Sequence, residues 1–543
     1  MTFSNRNRNQ ISQTLAKQTF DLLVIGGGIV GAGIALDASS RGMKTALVEM
    51  QDFSAGASSR STKLVHGGFR YLEQKEFKHV AEVGKEREII HHISPHITKP
   101  IMILQPYYKN GPRQGISTKV KLSLYDSLTG VKKKQRHQML NKKAIMDLEP
   151  LLQVKKLRGA GYYQEFQTDD ARLTIEVLKR ACQLGTKALN YLKVIFLLYD
   201  DTGVVNGAEV EDQITGDCYP IYANKIVNAT GSWINTLHSE DEKQALLSYT
   251  KGIHLVFHRD DFPIQQSVYF TNPEDNRMIF VLTRDNKVYV GTTDTPYQGD
   301  LANPKVTLTD KKYLLAAISS VFPNLDLTES KIESSWAGIR SFITEAEKSP
   351  SEFTRKEHIF HEESGLVSIT GGKLTGYRKV AERIVDYIAK QFKQERNILY
   401  SKSETKSIPL SGGDVGGISG FEQFKQQQIV YASDLPLDDR TIQQYIDRYG
   451  SNVNKIWEYV RTGQIEAKDY QIDLPIYAEL CYALEYESIY KPLDFFLRRT
   501  GAILFNRDLV KRNLAGVLSF LSEKLHWDME ESAYYERECR MFE

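Results

Sequence analysis

Cysteine is scarce in this 543-residue sequence. Cys182, Cys218, Cys481 and Cys539 are its only four, widely separated and without a CxxC. That pattern excludes a disulfide framework and a thiolate zinc site, and it fits a reducing compartment. An excess of one charge sign is missing too: 70 Lys and Arg stand against 68 Asp and Glu, a formal net charge of +2. Nothing in that balance points to nucleic acid. Membrane-length apolar runs are absent. Residues 22–36 carry no charge and follow a basic segment with Arg6, Arg8 and Lys17, as a signal sequence would. Yet the run is rich in glycine and bounded by Asp21 and Asp37, and a span needs about 20 predominantly apolar residues. Neither signal nor anchor is expected. Internal repeats and low-complexity tracts are also lacking.

The composition that is present, 41% hydrophobic and 25% charged, is that of a soluble globular protein. The length predicts two or three domains. Residues 1–18 read as a loose polar lead-in. Residues 22–26 read as a buried strand, 29–41 as a helix stopped by Gly42, and 45–50 as a second strand, a β-α-β unit. Residues 51–70, dense in Ser, Gly and basic residues, read as a functional loop. A helix with Glu82 and Glu86 follows. Residues 109–143 are strongly basic, with Lys109, Lys132, Lys133 and Lys134 among ten cations against Asp126 as the only acid. Strand-like runs fill 190–230 and 253–295. A short strand at 367–369 leads to a helix from about 375 to 391. Beyond residue 400 strands fade, and 420–535 reads as a separate helical domain.

Gly26, Gly28 and Gly31 stand in GxGxxG spacing between the first strand and its helix. Gly26 suits the tight turn, Gly28 the close approach of a pyrophosphate, and Gly31 close helix–strand packing. The helix N-terminus then offers N–H groups and partial positive charge to phosphates. Glu49 ends the second strand, placed to bind an adenosine ribose and to repel the extra phosphate of NADP. GxGxxG alone is a weak signal; the ordered strand, helix, strand and acid make it stronger. Two further segments favour FAD over NAD. A strand runs into Ala229-Thr230-Gly231. Another runs through Gly371-Gly372 into a helix near Thr375, whose dipole would stabilise negative charge on a reduced flavin ring.

The segments SSRSTKLVHGGFRYL (58–72), QTDDARL (167–173), WAGIRS (336–341) and TGGKLTGYRKVAERI (370–384) resemble the signatures of FAD-dependent glycerol-3-phosphate dehydrogenases. The resemblance runs over about residues 18–390, and the C-terminal region is similar to that family's cap domain. It implies an α/β fold: an FAD-binding Rossmann-like domain, an interleaved mixed-sheet substrate domain of the amino-acid-oxidase kind, and a C-terminal all-helical domain. The implied division is 19–395 for the oxidoreductase region and 396–543 for the cap. Within the former, the FAD domain takes about 19–75, 150–250 and 345–395, and the substrate domain about 76–149 and 251–344. The implied cofactor contacts are Gly26, Gly28, Ile29, Gly31, Glu49, Ser59, Thr62, Gly231, Gly371, Gly372, Leu374 and Thr375. No metal is implied.

The implied reaction oxidises sn-glycerol 3-phosphate to dihydroxyacetone phosphate by hydride transfer to flavin N5, with electrons passed to a membrane quinone. Such chemistry needs fixed positive charge for a phosphate and a base for the C2 hydroxyl. His66 is the candidate base. Arg70, Arg340 and Lys373 are the candidate substrate cations, and Lys373 serves equally well at the N1–C2=O edge of the flavin. Arg340 and Lys373 also count as catalytic candidates, Arg340 through electrostatic stabilisation of an alkoxide and Lys373 through stabilisation of the reduced flavin anion. Asp169 and Arg172 read as a structural ion pair. Family members commonly have proline where this chain has Ser341, which bears on loop rigidity. The chain lacks an insertion before GGKLT that goes with longer oxidases, which favours a dehydrogenase over a peroxide-forming glycerol-3-phosphate oxidase. An amino-acid or sarcosine-type oxidase, which would need a carboxylate clamp, and a flavin binder without catalysis fit the residues less well. A cytoplasmic protein is expected, with three readings open for the basic segment (a dock on anionic lipid at the inner face of the membrane, a funnel for anionic substrate, or a solvated loop) and a homodimer as one assembly.

Overall fold

The computed structural model describes residues 3–67, 76–108, 113–129, 136–237, 247–343 and 357–541. Its first sheet is built around Thr19–Ile25, where Leu22, Leu23 and Val24 are fully buried. A strand covered on both faces reads as a continuous apolar run, and burying each such side chain contributes about 1.5–3 kcal/mol. Thr45–Val48 and Cys218–Asn228 flank it in parallel. Val367–Thr370 and Lys187–Leu189 extend the parallel array on either side. His358–His361 closes one edge, and the hairpin Leu192–Tyr199/Val205–Asp212 hangs antiparallel from Cys218–Asn228. The helix Ile29–Ser40 is apolar nearly all round because it lies between Asp170–Gln183 and Tyr377–Arg396.

Among the described residues the second sheet has ten strands, with Leu247–His258 paired to Ile332–Ile343 and to Lys287–Gly291. It is mixed: Thr98–Tyr108 runs parallel to Ser267–Thr271 and antiparallel to Leu157–Thr168. Here the structure departs from the expected division. Leu157–Thr168, expected in the cofactor domain, belongs to this sheet, as does the short strand Leu64–Val65 that pairs with it. The pairing is between strands far apart in sequence, which local periodicity cannot reveal.

The lead-in is not loose. Residues Arg8–Lys17 form a helix. Arg8 is buried, donates to the Asn190 carbonyl at 2.9 Å and pairs with Asp212 at 2.8 Å. Ser4 and Asn5 donate to the Leu484 and Ser488 carbonyls at 2.6 and 2.7 Å. The segment therefore ties the first sheet to the C-terminal domain, and its polar residues are polar because they serve carbonyls and carboxylates inside.

From Gly417–Tyr431 to Met529–Arg540 the chain is helical, as expected. This domain grips the cofactor side through buried charge. Asp52 accepts from Arg499 at 2.8 and 2.9 Å and from Arg498 at 2.5 Å. The two guanidiniums hold the Asp52 carboxyl down to about 2 against its burial. Arg172 pairs with Glu487 of the same domain and with Glu176. It makes no ion pair with Asp169. Asp169 instead caps its helix by accepting from the Arg172 N–H at 3.1 Å and pairs with Arg284 at 2.9 Å. An N-cap carboxylate turns toward backbone N–H groups, away from the side chain three residues on. Among the described residues no helix is long and apolar enough to cross a membrane.

Candidate active site

Between the two sheets lies a cavity of about 910 Å³. Its floor at one end is the glycine turn. Gly26 has φ +112°, and a Cβ there would lie 2.5 Å from the Ala229 carbonyl oxygen. Both conformation and the neighbouring strand end therefore demand glycine. Gly31 does not line the cavity; a Cβ on it would strike the Gly26 carbonyl, so it acts only by letting helix and strand close up. Gly28 and Ile29 face the cavity at the helix N-terminus. Glu49 is half-buried there, accepting from the Gly27 N–H at 2.7 Å and the Gln51 N–H at 2.8 Å. Burial pushes its carboxyl up while the two N–H groups pull it down. They also fix its orientation along the cavity wall.

The serine-rich loop borders the cavity as expected, but through a different serine. Ser59, the expected contact, is buried away from the cavity, and its carbonyl accepts from Lys63 at 3.0 Å. Ser58 lines it, its Oγ accepting from the Ile29 N–H at 2.9 Å. The loop is held by Asp170, which accepts from the Ser61 N–H at 2.9 Å, the Ser61 hydroxyl at 2.6 Å and Lys63 at 2.6 Å. The second aspartate of the QTDDARL segment thus does the anchoring. Thr62 lines the cavity and shares a hydrogen bond with His254 at 3.1 Å. His254 is stacked on Trp336 with centroids 4.5 Å apart, and burial with the Arg340 and Lys63 charges holds it well below the usual imidazole range. Both effects favour the neutral ring, which packs behind Thr62 of the wall.

The same cavity is lined by His66, Arg340 and Lys373, with Gly371, Gly372, Leu374 and Thr375 beside them in the chain and Gly231 from the turn that abuts Gly26. Two stitches join the segments that carry them. The His66 N–H donates to Thr375 Oγ1 at 3.1 Å, and that hydroxyl donates back to the His66 carbonyl at 3.2 Å. Ser341 Oγ meets Thr370 Oγ1 at 3.3 Å, linking the Arg340 strand to the strand that leads into Gly371. The serine that replaces the family's proline therefore supplies a side-chain tie of its own. Arg340 is steered by the Thr293 carbonyl, Asp294 and Thr292 Oγ1, all at 3.3 Å. The His66 ring stands edge-on to Phe280, with centroids 6.2 Å apart, and Phe280 stacks on Tyr269. Beneath His66, Gly67 lies against Tyr125, whose hydroxyl donates to Glu165 at 2.5 Å while Arg87 donates to the same carboxylate at 2.9 Å. Arg70 and Gly68 lie outside the described residues.

Sequence reasoning missed several lining residues: Ser58, Arg60, Thr292, Asp294 and a second histidine, His358. The threonines and aspartate of GTTDT follow a strand that ends at the cavity, and that strand end is the sequence signal that could have found them.

The cradle fits a dinucleotide. It has space at Gly28, an acid held in place at Glu49 and two helices, Ile29–Ser40 and Tyr377–Arg396, whose N-termini follow the glycine turns that line it. With a histidine and two cations lining the same cavity, the arrangement suits a flavin-dependent oxidoreductase. Comparison agrees. Residues 21–378 match the family model "FAD dependent oxidoreductase", and residues 403–532 match "C-terminal domain of alpha-glycerophosphate oxidase". The aerobic glycerol-3-phosphate dehydrogenase of Bacillus subtilis is 47% identical over 97% of this chain and 95% of its own. The glycerol-3-phosphate dehydrogenase of Bacillus halodurans, solved in complex with FAD, superposes with a TM-score of 0.86 at 41% identity, covering 99% of this chain and 97% of that one. The chain belongs to the FAD-dependent oxidoreductases and, within them, to the aerobic glycerol-3-phosphate dehydrogenase family.

The L-alpha-glycerophosphate oxidase of Mycoplasma pneumoniae shares the fold at a TM-score of 0.57 and 17% identity, aligning over 97% of its length but 71% of this chain.

Proposed function

We propose that this protein oxidises sn-glycerol 3-phosphate to dihydroxyacetone phosphate. The observation that carries the reading is that His66, Arg340 and Lys373 all line one dinucleotide-sized cavity. FAD, when bound, supplies the hydride acceptor at its N5. The protein's own residues do the rest. Arg340 and Lys373 hold the phosphate dianion, Arg340 with a planar fork suited to its oxygens. His66 takes the C2 hydroxyl proton as the C2 hydrogen leaves with its electron pair, so the product is a neutral ketone. Phe280 and Tyr269 shield His66 from water.

The proposed electron acceptor is a membrane quinone, and oxygen with release of peroxide is the alternative. The basic segment is proposed to meet anionic lipid, each cation near the surface contributing about 1 kcal/mol. Its Lys109 and Lys132–Lys134 lie outside the described residues. Co-sedimentation with anionic vesicles checks this: replacing Lys132, Lys133 and Lys134 with Gln should lower the bound fraction, and unchanged binding rejects the cluster.

The substrate assignment is tested at Arg340. Losing a charge-assisted hydrogen bond costs roughly 1.5–3 kcal/mol, so Arg340→Ala should weaken glycerol 3-phosphate binding about tenfold or more. Glycerol, without the phosphate, should be a poor substrate for the wild type. Steady-state kinetics with both compounds decide it. Equal turnover of glycerol and its phosphate refutes the anion site.

A further inference from the structure

Among the described residues Arg60 has no carboxylate partner; its Nη2 donates to the Ala302 carbonyl at 2.9 Å. It lines the cofactor cavity and also the wall of a second cavity of about 760 Å³ beneath the C-terminal domain. Its backbone is pressed against the second sheet, so that a Cβ at Gly338 would lie 2.6 Å from the Arg60 carbonyl oxygen. The position is therefore fixed, and the side chain is held in place by the fold. The charges that reach it are Arg498, which opposes it, and Asp300 and the Tyr297 hydroxyl, which favour it only at longer range. Burial and Arg498 bring its guanidinium down to about 10. A cation withdrawn from water with so little compensation is costly unless an anion joins it.

The chain places that cation two residues after Ser58, whose hydroxyl marks the N-terminus of the dinucleotide helix. The second cavity is a poor source of the anion, because Asp528, Glu530, Glu531 and Glu538 all line it. We infer that Arg60 is a cofactor-binding residue that pairs with the diphosphate of FAD, completing the charge balance that the helix N-terminus begins. The inference rests on the assignment of the larger cavity to FAD. It gives the loop a second function beside substrate binding: Ser58 and Arg60 hold the phosphates, while His66 at its far end faces the reacting carbon.

The test is FAD binding by the full-length chain, followed by flavin fluorescence, for wild type, Arg60→Gln and Arg60→Lys at several salt concentrations, with riboflavin as the phosphate-free probe. Melting temperatures are taken with and without FAD. Arg60→Gln should raise the FAD dissociation constant at least about tenfold, flatten its salt dependence and leave riboflavin binding as it was. Arg60→Lys keeps the charge but not the fork, so its FAD affinity should fall between the two. Without FAD, Arg60→Gln should melt no lower than wild type, because it removes an uncompensated cation; a structural arginine would lower it. Equal FAD affinity in wild type and Arg60→Gln overturns the inference and leaves the cofactor assignment standing. So does a parallel loss of riboflavin binding and of cofactor-free stability. A wild-type chain that binds no FAD overturns both.

Discussion

Replacing His66 with Asn should slow anaerobic flavin reduction by glycerol 3-phosphate by about 10²–10⁴-fold, the usual contribution of a positioned base. The C2 hydroxyl must give up its proton as hydride departs, or an oxocarbenium of high energy results. His66 lines the cavity and is held there through its backbone by Thr375. Asn conserves much of the shape and cannot take the proton. In the wild type the reduction rate should rise with pH as the imidazole gives up its proton and becomes competent as a base. In His66→Asn that step should vanish, with substrate affinity changing much less. Arg340 can stabilise an alkoxide but stays protonated at working pH, so it cannot produce the step. His358 also lines the cavity, and His358→Asn is the control that should keep it. Stopped-flow reduction of the three proteins across pH decides the matter. A variant His66→Asn with both rate and step intact places the base elsewhere.

The second large effect is at Gly28. Its φ of −77° is open to any residue, and a Cβ there would meet only Ser58 Oγ at 3.1 Å. The fold can therefore tolerate a side chain that the cofactor cannot. Gly28→Val fills the place of the pyrophosphate and should give folded, colourless protein. Gly26→Ala should behave differently, since a positive φ and the Ala229 carbonyl both oppose it, and it should lower the melting temperature itself. Absorbance and circular dichroism of the purified variants separate the cases. Gly28→Val with full yellow absorbance contradicts the assignment of that turn to the phosphates.

Much of this site was legible in the sequence because the physics there is local. A strand buried on both faces, three glycines at fixed spacing and a helix N-terminus are all consequences of short stretches of chain. What was not legible depended on pairing at a distance. Leu157–Thr168 joined the second sheet because Thr98–Tyr108 lies beside it. Residues 3–17 became part of the interior because their polar side chains meet Leu484, Ser488 and Asp212. Ser58 and Ser59 differ by one position, and only the turn of the loop decides which of them faces the cavity. Asp169 could not be assigned its partner without Arg284, more than a hundred residues away.

The most direct test of the account is the colour of the bound flavin under anaerobic conditions. Purified protein carrying FAD should lose its yellow absorbance on addition of glycerol 3-phosphate alone and yield dihydroxyacetone phosphate in equal amount. A quinone should then restore the colour faster than oxygen does. Flavin that stays oxidised in the presence of saturating glycerol 3-phosphate would contradict the proposed function.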